Sequence, residues 1–131
     1  MRRTIAVTGD ASPEEVWSRY VHPGRWPEWA GHIRSVTCDD EILRVGSRGA
    51  VHGPLGLRAD FTVTEVDSAA WEWAWRVRCG PIRLRLAHGV QPGCGGNAGS
   101  RTWLTIDGAA PVVLGYALPA AWALRRLVAL R

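Results

Sequence analysis

The chain has 131 residues, 47% of them hydrophobic and 21% charged, which is enough to build a core in a single domain over residues 1–131 without disulfide bonds. Its basic residues are all arginines dispersed along the chain, and its net charge is only +4, so nucleic acid is not an expected partner. Three cysteines without a C-x-x-C pair indicate neither a disulfide framework nor a zinc site, and we expect no metal and no cofactor.

The N-terminal part of the chain predicts one strand and two short helices. Residues 3–9 alternate weakly and indicate a strand; the same stretch lacks the apolar run of a signal peptide, so we expect a cytoplasmic protein. In the following "DASPEEVWSRYV", Asp10 or Ser12 can cap a helix whose first position is a proline. Prolines then break "HPGRWPEWAGH" into a short second helix or turn that carries Trp26 and Trp29.

A two-residue period predicts six further strands from residue 33 onward, and turn signals separate them. These strands are 33–38, 46–53, 57–67, 70–79, 82–91 and 100–107. The glycine-rich stretch 92–99 predicts a hairpin loop between the last two strands. Residues 110–131 then predict a terminal helix, which Pro119 should bend or split.

Alternation along these strands gives the sheet one apolar face and one polar, arginine-rich face. The side chains expected on the apolar face are Leu57, Ala59, Phe61, Val63, Trp71, Trp73, Trp75, Val77, Ile82, Leu84, Leu86, His88, Val90, Leu104 and Ile106. Arginines at 58, 76, 78, 83 and 85 are expected on the other face. The terminal helix is the only predicted element large enough to cover the apolar face.

The terminal helix has an inner and an outer side. Its inner stripe is expected to consist of Val113, Tyr116, Ala120, Leu124 and Leu127. Leu118 and Trp122 lie off this stripe and could form a homodimer contact. The uncharged stretch 108–124 is shorter than the ~20 residues that span a bilayer, so we predict a buried helix and no stable membrane insertion.

The segment "ASPEEVWSRYVHPGRWPEWAGHIRSV" resembles the opening signature of the polyketide cyclase/dehydrase and lipid-transport superfamily, also called START-like, Bet v 1-like or SRPBCC. The similarity comes from its Ser-Pro pair, its Val-Trp pair and its Trp-Pro-x-Trp turn. Similar stretches continue with "VGSRG" at 45–49, "VTEVDSAAWEWAW" at 63–75 and "GSRTWLTIDG" at 99–108, so the resemblance covers essentially the whole chain.

This resemblance implies the α+β helix-grip fold, in which an antiparallel seven-stranded sheet wraps around a long C-terminal helix and two short helices follow the first strand. It also implies a hydrophobic pocket between the sheet and that helix. The family holds cyclases, lipid carriers and hormone receptors, so fold alone does not fix the activity. Here the chain is short and its terminal helix brief, which favours a smaller pocket or one closed by a partner.

Candidate site residues follow from the faces and from the resemblance. The expected substrate-binding residues are Trp29, Phe61, Trp71, Trp73, Trp75, Leu86, Val113 and Ala120. His88 lies in phase with the inward residues and is the candidate acid or base, with the Tyr116 hydroxyl as its catalytic partner. Each of these residues could instead be ordinary core, and one of the three indoles of 71–75 should pack under a loop. Trp26 is expected to stabilise the turn by packing within it, and His22 and His32 are expected to lie at the surface.

Three functional hypotheses remain. The protein could bind or carry an apolar small molecule, such as a polyketide, a lipid or an isoprenoid. It could also be a cyclase/dehydrase-like enzyme that folds its substrate and transfers protons, since positioning alone contributes much of such a rate enhancement. The third hypothesis is an interaction protein that dimerises through the apolar terminal helix. The first two hypotheses require the indoles of Trp71, Trp73 and Trp75 to face an unfilled hollow beneath that helix.

Overall fold

The computed structural model describes residues 1–93 and 99–129; residues 94–98 of the predicted glycine-rich loop and the last two residues of the predicted helix lie outside them. Within these residues the strands are β1 (Arg2–Gly9), β2 (Ser35–Cys38), β3 (Arg48–His52), β4 (Arg58–Asp67), β5 (Glu72–Cys79), β6 (Ile82–Pro92) and β7 (Ser100–Gly108). The helices are α1 (Pro13–Val21), α2 (Trp26–Trp29) and α3 (Ala110–Ala129). All neighbouring strands pair antiparallel in the order β1-β7-β6-β5-β4-β3-β2. The predicted helix-grip architecture is confirmed.

Helix α1 begins where the sequence predicts it. Of the two candidate caps, Ser12 is the one whose side chain accepts a hydrogen bond from the Glu15 N–H, at 3.2 Å. Pro13 takes the first helical position, where its missing N–H costs nothing. The helix then buries Val16 and Tyr20 completely against the sheet.

Strand β4 departs from simple alternation. Its register against β5 shifts between Val63 and Glu65, which is a β-bulge, and the alternation resumes one residue later with Val66 opposite Trp73. Leu57, predicted to face inward, precedes the strand and is 56% exposed. On the outer face Arg58 donates to Asp60 at 3.1 Å, as an exposed ion pair.

The C-terminal half of α3 is fixed to the rest of the protein. The Ala11 N–H donates to the Val128 carbonyl at 2.8 Å, and the buried Arg19 guanidinium donates to the Leu127 carbonyl at 2.6 Å. Gly9 lets β1 approach this end closely, since a Cβ there would lie 2.4 Å from the Val128 oxygen. The helix is continuous through Pro119, so the predicted split does not occur.

The outer side of α3 carries an apolar stripe. Leu114, Leu118 and Trp122 follow each other at four-residue spacing and are 49%, 77% and 72% exposed. Within the described residues α3 is the one helix long and apolar enough to cross a membrane, although core helices of globular proteins also meet these criteria. Dimerisation through this stripe stays a prediction.

Candidate functional site

Beneath α3 the inner face of the sheet meets α1 and α2 in a cluster of aromatic rings. This aromatic cluster consists of Tyr20, Trp26, Trp29, Phe61, Trp73, Trp75 and His88. The Trp73 ring stacks on the His88 ring with centroids 4.6 Å apart and an interplanar angle of 9°. Trp26 lies across both strand indoles, with centroids 5.8 Å from Trp73 and 5.1 Å from Trp75.

A small cavity lies between the aromatic cluster and α3. It is lined by Trp26, Trp29, Ala30, His32, Ile33, Trp73, Trp75, His88, Leu104, Tyr116, Ala120, Ala123 and Leu124. Its volume is about 30 Å³, which leaves room for only one or two water molecules. The expected open hollow is therefore wrong for this conformation. Indoles of the α2 turn fill the space that strand alternation alone leaves empty.

The cavity brings together six of the predicted site residues: Trp29, Trp73, Trp75, His88, Tyr116 and Ala120. Phe61, Leu86 and Val113 are buried core side chains that do not belong to its lining. They support the site by packing around it.

Trp71 is not a cavity residue, and its predicted position in the strand is wrong. Strand β5 begins at Glu72, and Trp71 lies in the preceding turn with φ 55°, in the left-handed region that few side chains adopt. Its carbonyl accepts a hydrogen bond from the Val90 N–H at 3.0 Å. Because this backbone conformation interrupts the alternation, the indole packs partly buried at the edge of the core.

Sequence reasoning missed the roles of His32 and Trp26. His32, predicted at the surface, is partly buried at the edge of the cavity, where its ring meets the Tyr116 ring edge-on at 5.8 Å. Burial lowers the pKa of the His32 imidazole. Trp26 lies at the centre of the aromatic cluster, 1% exposed. The spacing of Trp26 and Trp29 on one helical turn could have indicated a shared inward face, whereas no periodicity reaches His32 in its turn.

The protonation of His88 follows from its contact with Trp75. The Trp75 indole N–H lies 3.0 Å from His88 Nε2 and can only donate, so Nε2 accepts. The proton of the neutral ring is therefore on Nδ1. Burial lowers the pKa of His88 to about 3, so the ring is neutral near pH 7. In this arrangement His88 offers a hydrogen-bond donor and is a weak base.

Three buried donors of cavity-lining residues lack an acceptor among the described residues: Trp29 Nε1, Trp73 Nε1 and His88 Nδ1. A buried donor without a partner costs about 1–3 kcal/mol, so such groups are rare in folded proteins. Acceptor atoms of a water molecule or of a ligand beside these rings would satisfy them.

The two tyrosines near the cavity differ in their partners. Tyr20 donates to the Thr102 hydroxyl, which in turn donates to the Gly89 carbonyl at 2.9 Å, so this buried network is satisfied. Burial raises the pKa of Tyr116 to about 12, and its hydroxyl therefore keeps its proton near neutral pH. Within the described part of the chain, no group of three or more His, Cys, Asp or Glu side chains is arranged to hold a metal ion.

Comparisons with known proteins agree with this architecture. The structure of the protein XoxI from Bacillus cereus is similar, with a TM-score of 0.76 over 97% of this chain and 92% of that chain. At 13% sequence identity this likeness shows the fold alone. No curated protein matches the sequence significantly. The family model described as polyketide cyclase / dehydrase and lipid transport matches residues 2–129, and the chain belongs to that family.

Proposed function

We propose that this protein binds a neutral, hydrophobic small molecule that carries oxygen acceptors, of the polyketide, lipid or isoprenoid kind, between the sheet and α3. The observation that carries the proposal is the set of three unsatisfied donors beside the aromatic cluster. Indole rings favour contact with flat apolar ligands, and buried N–H groups favour ligand oxygens over hydrocarbon. The family to which the chain belongs is described by its cyclases, dehydrases and lipid transport.

A neutral ligand follows from the lining of the cavity. The lining residues include no Asp, Glu or Arg, and the imidazole of His88 is held neutral by burial. A carboxylate or ammonium group would lose its hydration there without gaining an opposite charge, which is unfavourable. Fatty acids in their ionised form are therefore poorer candidates than ketones, quinones or alcohols.

Ligand entry requires the stretch of α3 around Tyr116 to bow outward, because a 30 Å³ cavity is too small for a drug-sized molecule. Up to Ala120 this helix buries two side chains, Val113 and Ala120, whereas its C-terminal half buries four and is bonded to Ala11 and to α1. Segments with few buried apolar side chains open at low free-energy cost. The partly buried Tyr116 and His32 lie at the side that would separate first.

The binding proposal predicts a preference between two ligands of matched shape, 1-tetralone and tetralin. The ketone can accept from the unsatisfied donors while the hydrocarbon cannot, so 1-tetralone should bind about tenfold more tightly, by isothermal titration calorimetry. Ala120→Leu should fill the cavity and abolish binding of both. The matched control Ala121→Leu, a neighbour outside the lining, should bind like the wild type. The proposal fails if neither ligand binds the wild type, or if Ala120→Leu binds unchanged.

Catalysis of the cyclase/dehydrase kind is the second candidate, with His88 and Tyr116 as the acting residues. Donors that meet a ligand carbonyl also stabilise the enolate formed when a neighbouring C–H loses its proton. In this role the Nδ1–H of His88 and the hydroxyl of Tyr116 polarise the carbonyl, and the α-proton passes to a water or hydroxide from the solvent, which returns a solvent proton to the carbon.

Enolisation can be followed directly as deuterium uptake at the α-carbon of 1-tetralone in D₂O, by NMR. If the site is catalytic, the wild type accelerates exchange over buffer, and Tyr116→Phe and His88→Gln each slow it about tenfold or more at saturating 1-tetralone. Tyr116→Phe keeps the ring in place and is the milder of the two changes. Exchange no faster than in buffer would leave the protein as a binder.

A further inference from the structure

The outer face of the β5–β6 hairpin carries an array of four arginines. Arg76 lies directly opposite Arg85, and Arg78 directly opposite Arg83, and all four side chains are exposed. We call these residues the arginine quartet. Like charges placed directly opposite each other on paired strands are unfavourable, so sequence and register together produce a strained concentration of positive charge.

Two carboxylates lie beside this charge, Asp60 opposite Arg78 and Asp107 opposite Arg85. Each has another partner: Asp60 pairs with Arg58 at 3.1 Å, and Asp107 pairs with Arg2 at 3.3 Å. Within the residues that the structure describes, no ion pair or hydrogen bond of the quartet side chains is found. Because four arginines outnumber two aspartates, this surface keeps a net positive charge.

The other acidic residues of β4 and β5 lie at the far end of these strands. Asp67 is paired with Glu72 in register, and Glu65 with Ala74, around the β4–β5 connection. On these two strands Asp60 is therefore the carboxylate that lies beside the quartet, and the excess of arginines gives this end of the sheet a positive potential.

The quartet lines a groove of about 590 Å³ on the outer surface, which Asp60, Thr62 and Asp107 also line. A second hollow of about 500 Å³ adjoins it across Thr62 and adds Arg48, Arg58 and Asp39. Neighbouring arginine positions are about 5 Å apart across the strands and about 7 Å apart along them. An anion with several charged oxygens could contact more than one guanidinium at once.

We propose that the arginine quartet is a binding site for a small polyphosphate anion. Guanidinium groups bind phosphate oxygens in a planar, two-pronged geometry, and several in one array bind adjacent phosphates together. The aromatic residue in the groove lining is Phe61, whose ring is 3% exposed and packs inward on Trp26 and Trp75. A nucleotide base would find no exposed ring to stack on there, which favours the phosphate chain alone.

Titration with sodium triphosphate tests the site, in the full chain and at about 50 mM and 200 mM salt. The wild type should bind, and more weakly at the higher salt. The double variant Arg78→Gln/Arg83→Gln should lose affinity about tenfold or more. The matched control Arg34→Gln/Arg101→Gln removes the same charge from exposed positions outside the groove and should change affinity less than about threefold.

Thermal unfolding separates binding from a structural role. Triphosphate should raise the melting temperature of the wild type and leave that of the quartet variant unchanged, while the variant alone should melt at or above the wild-type temperature because repulsion is relieved. A lower melting temperature of the variant would mean that the quartet serves folding, and this would overturn the proposal. The proposal is also overturned if the wild type does not bind triphosphate, or if the control variant loses as much affinity as the quartet variant. If a single-stranded oligonucleotide bound much more tightly than triphosphate, the quartet would be a nucleic-acid site and the proposal of a polyphosphate site would be wrong.

Discussion

Replacing Trp26 with alanine is expected to lower the free energy of unfolding by about 3–5 kcal/mol. This indole is 1% exposed, and its ring contacts Phe61, Trp73 and Trp75. Its N–H donates to the Tyr20 carbonyl at 2.9 Å, a bond that the variant also loses. Removing the ring leaves a large void at the centre of the aromatic cluster. Urea unfolding followed by far-UV circular dichroism measures the loss.

Trp122→Ala is the matched control, because it removes the same side chain from a position that is 72% exposed. Its effect should stay within about 0.5 kcal/mol. Indole added to Trp26→Ala should restore part of the lost stability by occupying the void, and it should have no effect on Trp122→Ala. Equal stability of the two variants would mean that Trp26 is not the centre of the core.

Acidification is expected to destabilise the protein through His88, by about 2 kcal/mol between pH 7 and pH 5. In the unfolded chain this histidine titrates near its ordinary pKa of 6.5, whereas burial holds its folded pKa at about 3. Between these values the unfolded state binds the proton and the folded state does not. The stability is thus complete above pH 6.5 and declines as the pH falls toward 3.

His88→Gln removes this titration and keeps, near the position of Nε2, an oxygen that can accept from the Trp75 N–H. The variant should lose about 2 kcal/mol less than the wild type over the same pH interval, measured by urea unfolding at each pH. His32→Asn should relieve a smaller part of the acid sensitivity, because burial also lowers the pKa of His32 but its side chain is only partly buried. A pH dependence of His88→Gln equal to that of the wild type would contradict this account.

Strand alternation predicts the sheet well because one face is buried and the other is exposed to solvent along most of its length. Trp73, Trp75 and His88 could be assigned to the inner face for this reason, and Tyr116 and Ala120 by the helical stripe. Alternation fails where the backbone leaves the regular pleat. The bulge in β4 and the left-handed turn before β5 shift or remove side chains without any change in hydrophobic pattern.

The size of the cavity could not be predicted, since free volume depends on how side chains from separate elements interlock. A row of indoles on one strand fits either an open pocket or a filled one. Here Trp26 and Trp29, from a turn remote in sequence, occupy the space beside that row. Nor could the sequence predict which buried donors lack an acceptor, because hydrogen-bond partners are known only after packing is known.

Helix α3 is attached at both ends. The Leu127 and Val128 carbonyls accept hydrogen bonds from Arg19 and Ala11, and a single residue, Ala109, joins the first turn to β7. A rigid tilt would disrupt one of these attachments, so outward movement of the helix would take the form of bowing between them. Pro119 lies in this middle stretch and has no N–H to bond the preceding turn, which makes bending easiest there and widens the space beside Tyr116.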